Sequence, residues 1–308
     1  MNTCWACLRP VADESRYHTK CLWDLFGMAK LPEIDVELAK LHTLALAMVG
    51  HTSLSGIQRK ISLDLAGDKR TLRVAIGRGR YILKPQAQTF PFLPENEHAT
   101  MRLADRTGIE VPPCALVELK DGSRAYIVGR FDRSDTGKLL QEDFCQLAVK
   151  SPKDKYEGSA ELCARLVHRY ATAPLIEAQK LFRLIAFCWW TGNGDMHLKN
   201  FSLLRHVDGA YRVSPAYDLL CTRLAIPDDQ LALSIGGTKA HVGRKKWFAF
   251  AEACKLPTPA AERVLAEIGA AVAGAPEVID ASLLPDDMKG TYGDLVRDRG
   301  RVFTRGEG

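Results

Sequence analysis

Residues 191–202 read T-G-N-G-D-M-H-L-K-N-F-S, with an Asp followed five places on by an Asn, at Asp195 and Asn200. Those side-chain types at that spacing suit phosphoryl transfer. A carboxylate accepts the proton of an attacking hydroxyl, and an amide oxygen holds Mg²⁺. The run before it, L-F-R-L-I-A-F-C-W-W over 181–190, is apolar and long enough for a buried helix. Gly192-Asn193-Gly194 would stop that helix sharply. A rigid helix feeding a polar loop is what a catalytic loop requires. The plainer reading of the same residues is an Asn/Gly-rich turn capping a core helix.

The elements around this loop favour the chemical reading. In H-T-S-L-S-G-I-Q-R-K-I-S-L-D-L (51–65), Ser53, Ser55 and Gly56 precede an alternating apolar strand. Such a turn can present backbone N–H groups to phosphates. It matches neither the G-x-x-x-x-G-K loop nor G-x-G-x-x-G, and a hairpin corner is the alternative. The strand Y-I-L-K-P-Q (81–86) carries Lys84, placed as kinases place the lysine on nucleotide phosphates. A helix ending near Gly108 offers Glu95 and Glu97 in its first turn as partners for Lys84, with Glu97 better suited to a core-facing helix and solvated charges at a helix start as the alternative. Residues 111–132 predict a hairpin turning at Asp121-Gly122. Gly129-Arg130-Phe131-Asp132 follows as a hinge whose backbone would meet adenine, with Asp132 reaching the ribose. Apolar spacing also predicts a helix from Ile34 to Met48, and a mostly helical half is expected after the hinge, over 141–149, 158–171 and 174–191. A short strand from Tyr211 to Val213 puts Asp218 just past its end. Loop, strand Lys, helix Glu, hinge, D-x-x-x-x-N, strand and Asp is the order of parts in a two-lobed phosphotransferase.

Two further features bound the reading. Cys4, Cys7, His18 and Cys21 (C-x-x-C, then H-x-x-C) supply the ligands of a closed tetrahedral Zn²⁺ site, which would be structural. Incidental thiols on a loose tail are the alternative. Because these ligands lie outside the kinase pattern, metal loss is expected to disturb the first thirty or so residues more than phosphoryl transfer. The other six cysteines, Cys114, Cys145, Cys163, Cys188, Cys221 and Cys254, sit in apolar or helical contexts. They read as buried thiols of a reducing compartment. The 308 residues are 46% hydrophobic, enough for one large domain or two lobes. The net charge of +5 is too weak to argue for nucleic acid by itself. Without a membrane-length apolar run or a signal-peptide pattern, the expectation is a soluble cytoplasmic protein.

S-L-S-G-I-Q-R-K, L-Q-E-D-F-C-Q, G-D-M-H-L-K-N-F-S and P-A-Y-D-L-L, in that order, resemble the motifs of the HipA-like serine/threonine kinase toxins over roughly residues 50 to 300. The resemblance implies a kinase fold with Asp195 as the catalytic Asp and Asn200 and Asp218 on Mg²⁺. It implies Lys84 on the ATP phosphates and Gly129 and Phe131 on adenine through their backbone. Asp132 and His197 fall at ATP-site positions, and Ser53 matches the autophosphorylated serine. It further implies an aminoacyl-tRNA synthetase as substrate, arrest of translation, and a DNA-binding antitoxin, with DNA met only through that antitoxin. Two features depart from the longer toxins. The small β-rich subdomain before the kinase core is expected to be absent, and the loop carries an S-x-S arrangement in which Ser55 is expected as a second phosphoacceptor. Both resemble the shorter HipT-type toxins, in which a separate small protein replaces that subdomain and acts as antitoxin.

The expected fold class is therefore α+β and two-lobed. A zinc-ribbon-like segment (1–30) precedes a β-rich N-lobe (31–130) and a mostly helical C-lobe (131–308). Two competing classes are a non-catalytic pseudokinase scaffold and a zinc-dependent nucleic-acid-binding protein. The first is disfavoured because Asp195, Asn200, Asp218 and Lys84 are all present. The second is disfavoured because Asp13, Glu14 and Asp24 offset Arg9, Arg16 and Lys20 near the cysteines.

Overall fold

The structure is a computed structural model that describes residues 2–304 apart from 13, 35–58, 69, 76–78 and 135–136. The predicted helix after Ile34 and the loop bearing Ser53, Ser55 and Gly56 lie outside the described residues; Ile34 itself ends a strand. The chain divides into two compact units, Met1–Arg102 with Pro112–Arg130 and Val278–Pro285, and Leu103–Val111 with Phe131–Glu277 and Asp286–Gly308.

The first unit begins with β1 (Asn2–Thr3), β2 (Pro10–Val11) and α1 (Thr19–Phe26). Then come β3 (Glu33–Ile34), β4 (Ile61–Leu65), β5 (Thr71–Val74), β6 (Tyr81–Pro85), α2 (Leu93–Arg106), β7 (Cys114–Glu118) and β8 (Arg124–Gly129). Six strands form one sheet in the order β3-β5-β4-β6-β8-β7. Period-two alternation turns Ile61 and Leu63 of β4 into the core, and a continuous buried run, Ala125 to Val128, marks β8 as an inner strand. The predicted β7–β8 hairpin is present. Its turn forms because Gly122 takes φ +79° while Asp121 Oδ1 accepts from the backbone N–H of Ser123 at 3.0 Å. β6 pairs with β8 so that Lys84 lies opposite Tyr126. Leu22, Leu25 and Phe26 of α1 share one hydrophobic core with Leu63, Leu83, Val117 and Ile127 of the sheet.

The second unit is mostly helical. The hairpin β9 (Arg133–Ser134) and β10 (Gly137–Lys138) leads to β11 (Gln141–Asp143), α3 (Phe144–Leu147), α4 (Ala160–Tyr170) and α5 (Pro174–Trp190). β12 (Ser202–Arg205), β13 (Tyr211–Val213), α6 (Arg244–Ala253), α7 (Thr258–Ala281) and α8 (Asp286–Thr304) follow. The last turn of α2 belongs to this unit, and the end of α7 to the first. The helix expected over 141–149 is a strand and one short helix instead. Gln141–Asp143 pairs with Ser202–Leu204, and Asp143 closes a capping box with Gln146 that starts a new helix there. Tertiary pairing outweighs helix propensity in so short a stretch.

α5 is the central element. Pro174 starts it, and Leu181, Phe182, Ala186, Phe187 and Trp190 are all but inaccessible to solvent. Burying each large apolar side chain contributes about 1.5–3 kcal/mol, so this helix is a rigid base for the loop it ends in. The fully buried Glu177 ties α5 to β13, accepting from the backbone N–H of Val213 at 2.7 Å and from Lys180 at 2.9 Å.

Candidate active site

The loop after α5 is built by local hydrogen bonds. Gly192 takes φ +73°, and the N–H of Asn193 returns to the carbonyl of Cys188 at 2.9 Å, which caps the helix. Gly194 N–H donates to Thr222 Oγ1 (2.8 Å), whose hydroxyl donates to Gly192 O (3.0 Å). Asn193 Oδ1 accepts from Asp195 N–H at 3.1 Å, and the amide of Asn200 donates to the carbonyl of Asp195 at 3.0 Å. The five-residue spacing thus closes a ring. With its NH₂ spent on Asp195, Asn200 keeps Oδ1 as the atom suited to a hard cation.

Asp195, His197, Asn200 and Asp218 are all buried. Asp195 Oδ1 accepts from the hydroxyl of Tyr156 at 2.6 Å. His197 packs edge-on against Tyr156, with ring centroids 5.1 Å apart. Neither ring nitrogen of His197 has a hydrogen-bond partner. Burial, with help from Lys155, pushes His197 down to about 4, against the opposing pull of Asp195 and Asp218. The ring is therefore neutral at neutral pH. Buried polar groups are normally satisfied, and these two ring nitrogens can take a partner from a ligand or from water.

Asp218 takes φ +56°, a left-handed conformation that costs a non-glycine residue about 1–2 kcal/mol. Its neighbour Tyr217 fixes it beside the loop by donating to the carbonyl of Lys199 at 2.9 Å. Phe131 lies 5.6 Å from the Tyr217 ring. Asp132 is buried, and its carboxylate accepts from Arg133 at 2.6 Å. Gly129 ends β8 in the first unit.

Also in the first unit, Lys84 donates to Glu97 at 2.5 Å, both buried, with the Lys84 ammonium 5.6 Å from the Tyr126 ring centroid. Glu95, the other candidate, binds Arg124 at 3.0 Å. One ligand atom each of Cys4, Cys7, His18 and Cys21 lie within 4.8 Å of one another. The structure therefore brings together three groups: Lys84 with Glu97, Asp195 with His197, Asn200 and Asp218, and the four N-terminal ligands. Sequence reasoning missed Tyr156 and Thr222, which lie 39 and 28 residues from the groups they bind. No local pattern joins residues so far apart. Asp143, within the L-Q-E-D-F-C-Q motif, binds Lys199 of the loop at 2.9 Å, and that motif was the available signal.

The fold is the mixed α/β fold of two solved structures. HipA of Shewanella oneidensis, solved in complex with HipB and operator DNA, superposes with a TM-score of 0.70 at 23% identity, over 81% of this chain and 64% of that one. The proinflammatory kinase CtkA of Helicobacter pylori matches with a TM-score of 0.56 at 14% identity, over 82% of this chain and 91% of that one. The chain belongs to the HipA-like family, because the model of the HipA-like C-terminal domain matches residues 52–275. A Sinorhizobium fredii protein named "Putative kinase Y4mE" is 35% identical over 226 residues, 68% of this chain and 53% of its own. A "Putative kinase" of Haemophilus influenzae is 32% identical over 181 residues, 54% of this chain and 52% of its own. The chain thus spans about half the length of these curated relatives. Among the described residues no helix is long and apolar enough to cross a membrane.

Proposed function

We propose that this protein is an ATP-dependent serine/threonine protein kinase, acting in the cytoplasm as the toxin of a toxin–antitoxin pair. The observation that carries the reading is His197. It is a buried, neutral imidazole with no hydrogen-bond partner, set among Asp195, Asn200 and Asp218, as expected where a polar ligand completes the site. ATP with Mg²⁺ fits that donor set. Asn200 Oδ1 and the Asp218 carboxylate are the hard oxygens Mg²⁺ takes. Bound there, the ion would neutralise charge on the transferring phosphoryl group.

The chain's own groups divide the remaining work. Asp195 accepts the proton of the substrate hydroxyl. Its Oδ1 is engaged by Tyr156, so the incoming hydroxyl displaces the phenol or shares the carboxylate with it. Lys84, held by Glu97, neutralises nucleotide phosphate charge. The backbone at Gly129 and Phe131 meets adenine, Asp132 the ribose once Arg133 yields, and His197 the nucleotide. Ser53 and Ser55, with Gly56, cover the phosphates and accept phosphate themselves, which ejects the loop through charge repulsion. Cys4, Cys7, His18 and Cys21 hold a structural Zn²⁺ and touch neither nucleotide nor substrate. The division into segments 1–30, 31–130 and 131–308 belongs to the same reading.

The Shewanella HipA complex with HipB and DNA supports a DNA-binding antitoxin as partner. By the resemblance to shorter toxins, a separate small antitoxin is a second partner, and an aminoacyl-tRNA synthetase is the substrate. Incubation with labelled ATP, Mg²⁺ and a panel of these synthetases tests the reading. One synthetase should gain label on Ser or Thr, and mass spectrometry should find phosphate on Ser53 or Ser55. No transfer to any protein, itself included, would overturn it.

A further inference from the structure

The carbonyl of Ala6, between two of the N-terminal cysteines, meets His98 of the helix that carries Glu97. We infer that Cys4, Cys7, His18 and Cys21 bind one zinc-class ion, and that this ion braces α2 in the position where Glu97 meets Lys84. The consequence for phosphoryl transfer rests on the kinase reading above; the brace does not.

The donor set is built for a soft tetrahedral ion. Three thiols and one imidazole nitrogen converge within 4.8 Å, with Cys7 Sγ 3.3 Å and Cys21 Sγ 3.9 Å from His18 Nδ1. A Zn²⁺ about 2.0–2.3 Å from each donor fits such separations. The other ring nitrogen of His18, Nε2, lies 2.9 Å from the carbonyl of Pro10. Donating there fixes the tautomer and turns the Nδ1 lone pair to the metal, the usual outer support of a ligating imidazole. His18 N–H donates to Cys4 Sγ at 3.4 Å. The knuckle also holds buried Leu8 at φ +58°, strain that a bound ion would offset.

The knuckle is fastened to the sheet and the helix by its backbone. The carbonyl of Trp5 accepts from Leu116 N–H of β7 at 2.9 Å, and Tyr17 donates to the carbonyl of Leu116 at 2.8 Å. The carbonyl of Ala6, between the two knuckle cysteines, lies 3.1 Å from Nε2 of the fully buried His98 on α2. Arg124 lies over the Trp5 ring and also binds Glu95 of α2. His98 is the next residue after Glu97. Successive residues point about 100° apart on a helix, so one side chain meets the knuckle while the other meets Lys84. The ordered knuckle therefore fixes the rotation and height of α2, and His98 is the positioning residue that transmits it.

Elemental analysis of protein purified without chelator should give one zinc per chain. Chelation should make backbone amides of residues 93–102 exchange hydrogen about tenfold faster, as for a local opening of low cost, and added Zn²⁺ should restore protection. His98→Ala should keep its zinc and its fold but lose the metal dependence of α2 exchange. His98→Gln, whose amide can still donate to Ala6 O, should regain it. No zinc overturns the inference, as does bound zinc whose removal leaves α2 exchange unchanged. So does a His98→Ala protein as metal-dependent as wild type. Zinc-dependent protection of α2 in a protein that transfers no phosphate supports the brace and counts only against the kinase reading.

Discussion

Asp195 Oδ1 accepts a hydrogen bond that an amide oxygen could accept equally well. Asp195→Asn should therefore keep Tyr156 in place and the melting temperature near wild type, while removing only the basic carboxylate. Loss of a general base typically costs 10²–10⁴-fold in rate, and a drop of about that size in transfer is expected. A variant that labels substrate at near wild-type rate would show the assignment to be wrong. Asp218 calls for the same choice of substitution. Its left-handed backbone favours Asn over Ala, because Asn reaches that region with little strain. Asp218→Asn should keep the loop and lose an anionic ligand, so Mg·ATP should bind more weakly by calorimetry. Unchanged affinity would remove Asp218 from the metal site.

At the scale of the element, the loop's shape depends on how closely the segment 228–230 approaches it. A Cβ on Gly194 would fall against the Asp229 carboxylate and within 2.5 Å of the Gln230 carbonyl, and backbone cannot easily give way. Gly194→Ala should destabilise by about 1–3 kcal/mol through overpacking. The urea midpoint should fall with the slope unchanged, and transfer should fall with it, since Asp195 is the next residue. A midpoint equal to wild type would mean that the 228–230 segment moves aside freely. Positions 141–149 illustrate the same scale from the other direction. A helix is the expectation there, yet the pairing of Gln141–Asp143 with β12 claims the first three residues.

Across the whole molecule, the six cysteines outside the N-terminal cluster are buried. Burial pushes the thiols of Cys163 and Cys188 well above their ordinary value, and those of Cys221 and Cys254 up to about 12. The thiolate is the reactive form, so iodoacetamide at neutral pH should leave these four unlabelled in the native protein and label them after unfolding. Mass spectrometry showing stoichiometric label on native Cys188 would contradict the packing around α5. The sequence by itself determined the parts whose partners are near in the chain. The Asp195–Asn200 ring spans five residues, the 174–190 helix repeats its apolar face every turn, and the β7–β8 hairpin turns at one Asp-Gly pair. Covalent geometry fixes which residues meet over such distances. Between Glu95 and Glu97 the sequence favours the second without deciding it, because both are buried: Glu97 meets Lys84, and Glu95 meets Arg124 on the neighbouring strand. Tertiary structure alone decided that Tyr156 reaches Asp195, that Thr222 ties the glycines, and that His98 supports the cysteine knuckle 92 residues away. Buried polar atoms must find partners wherever packing brings them, and that demand leaves no periodic trace in the chain.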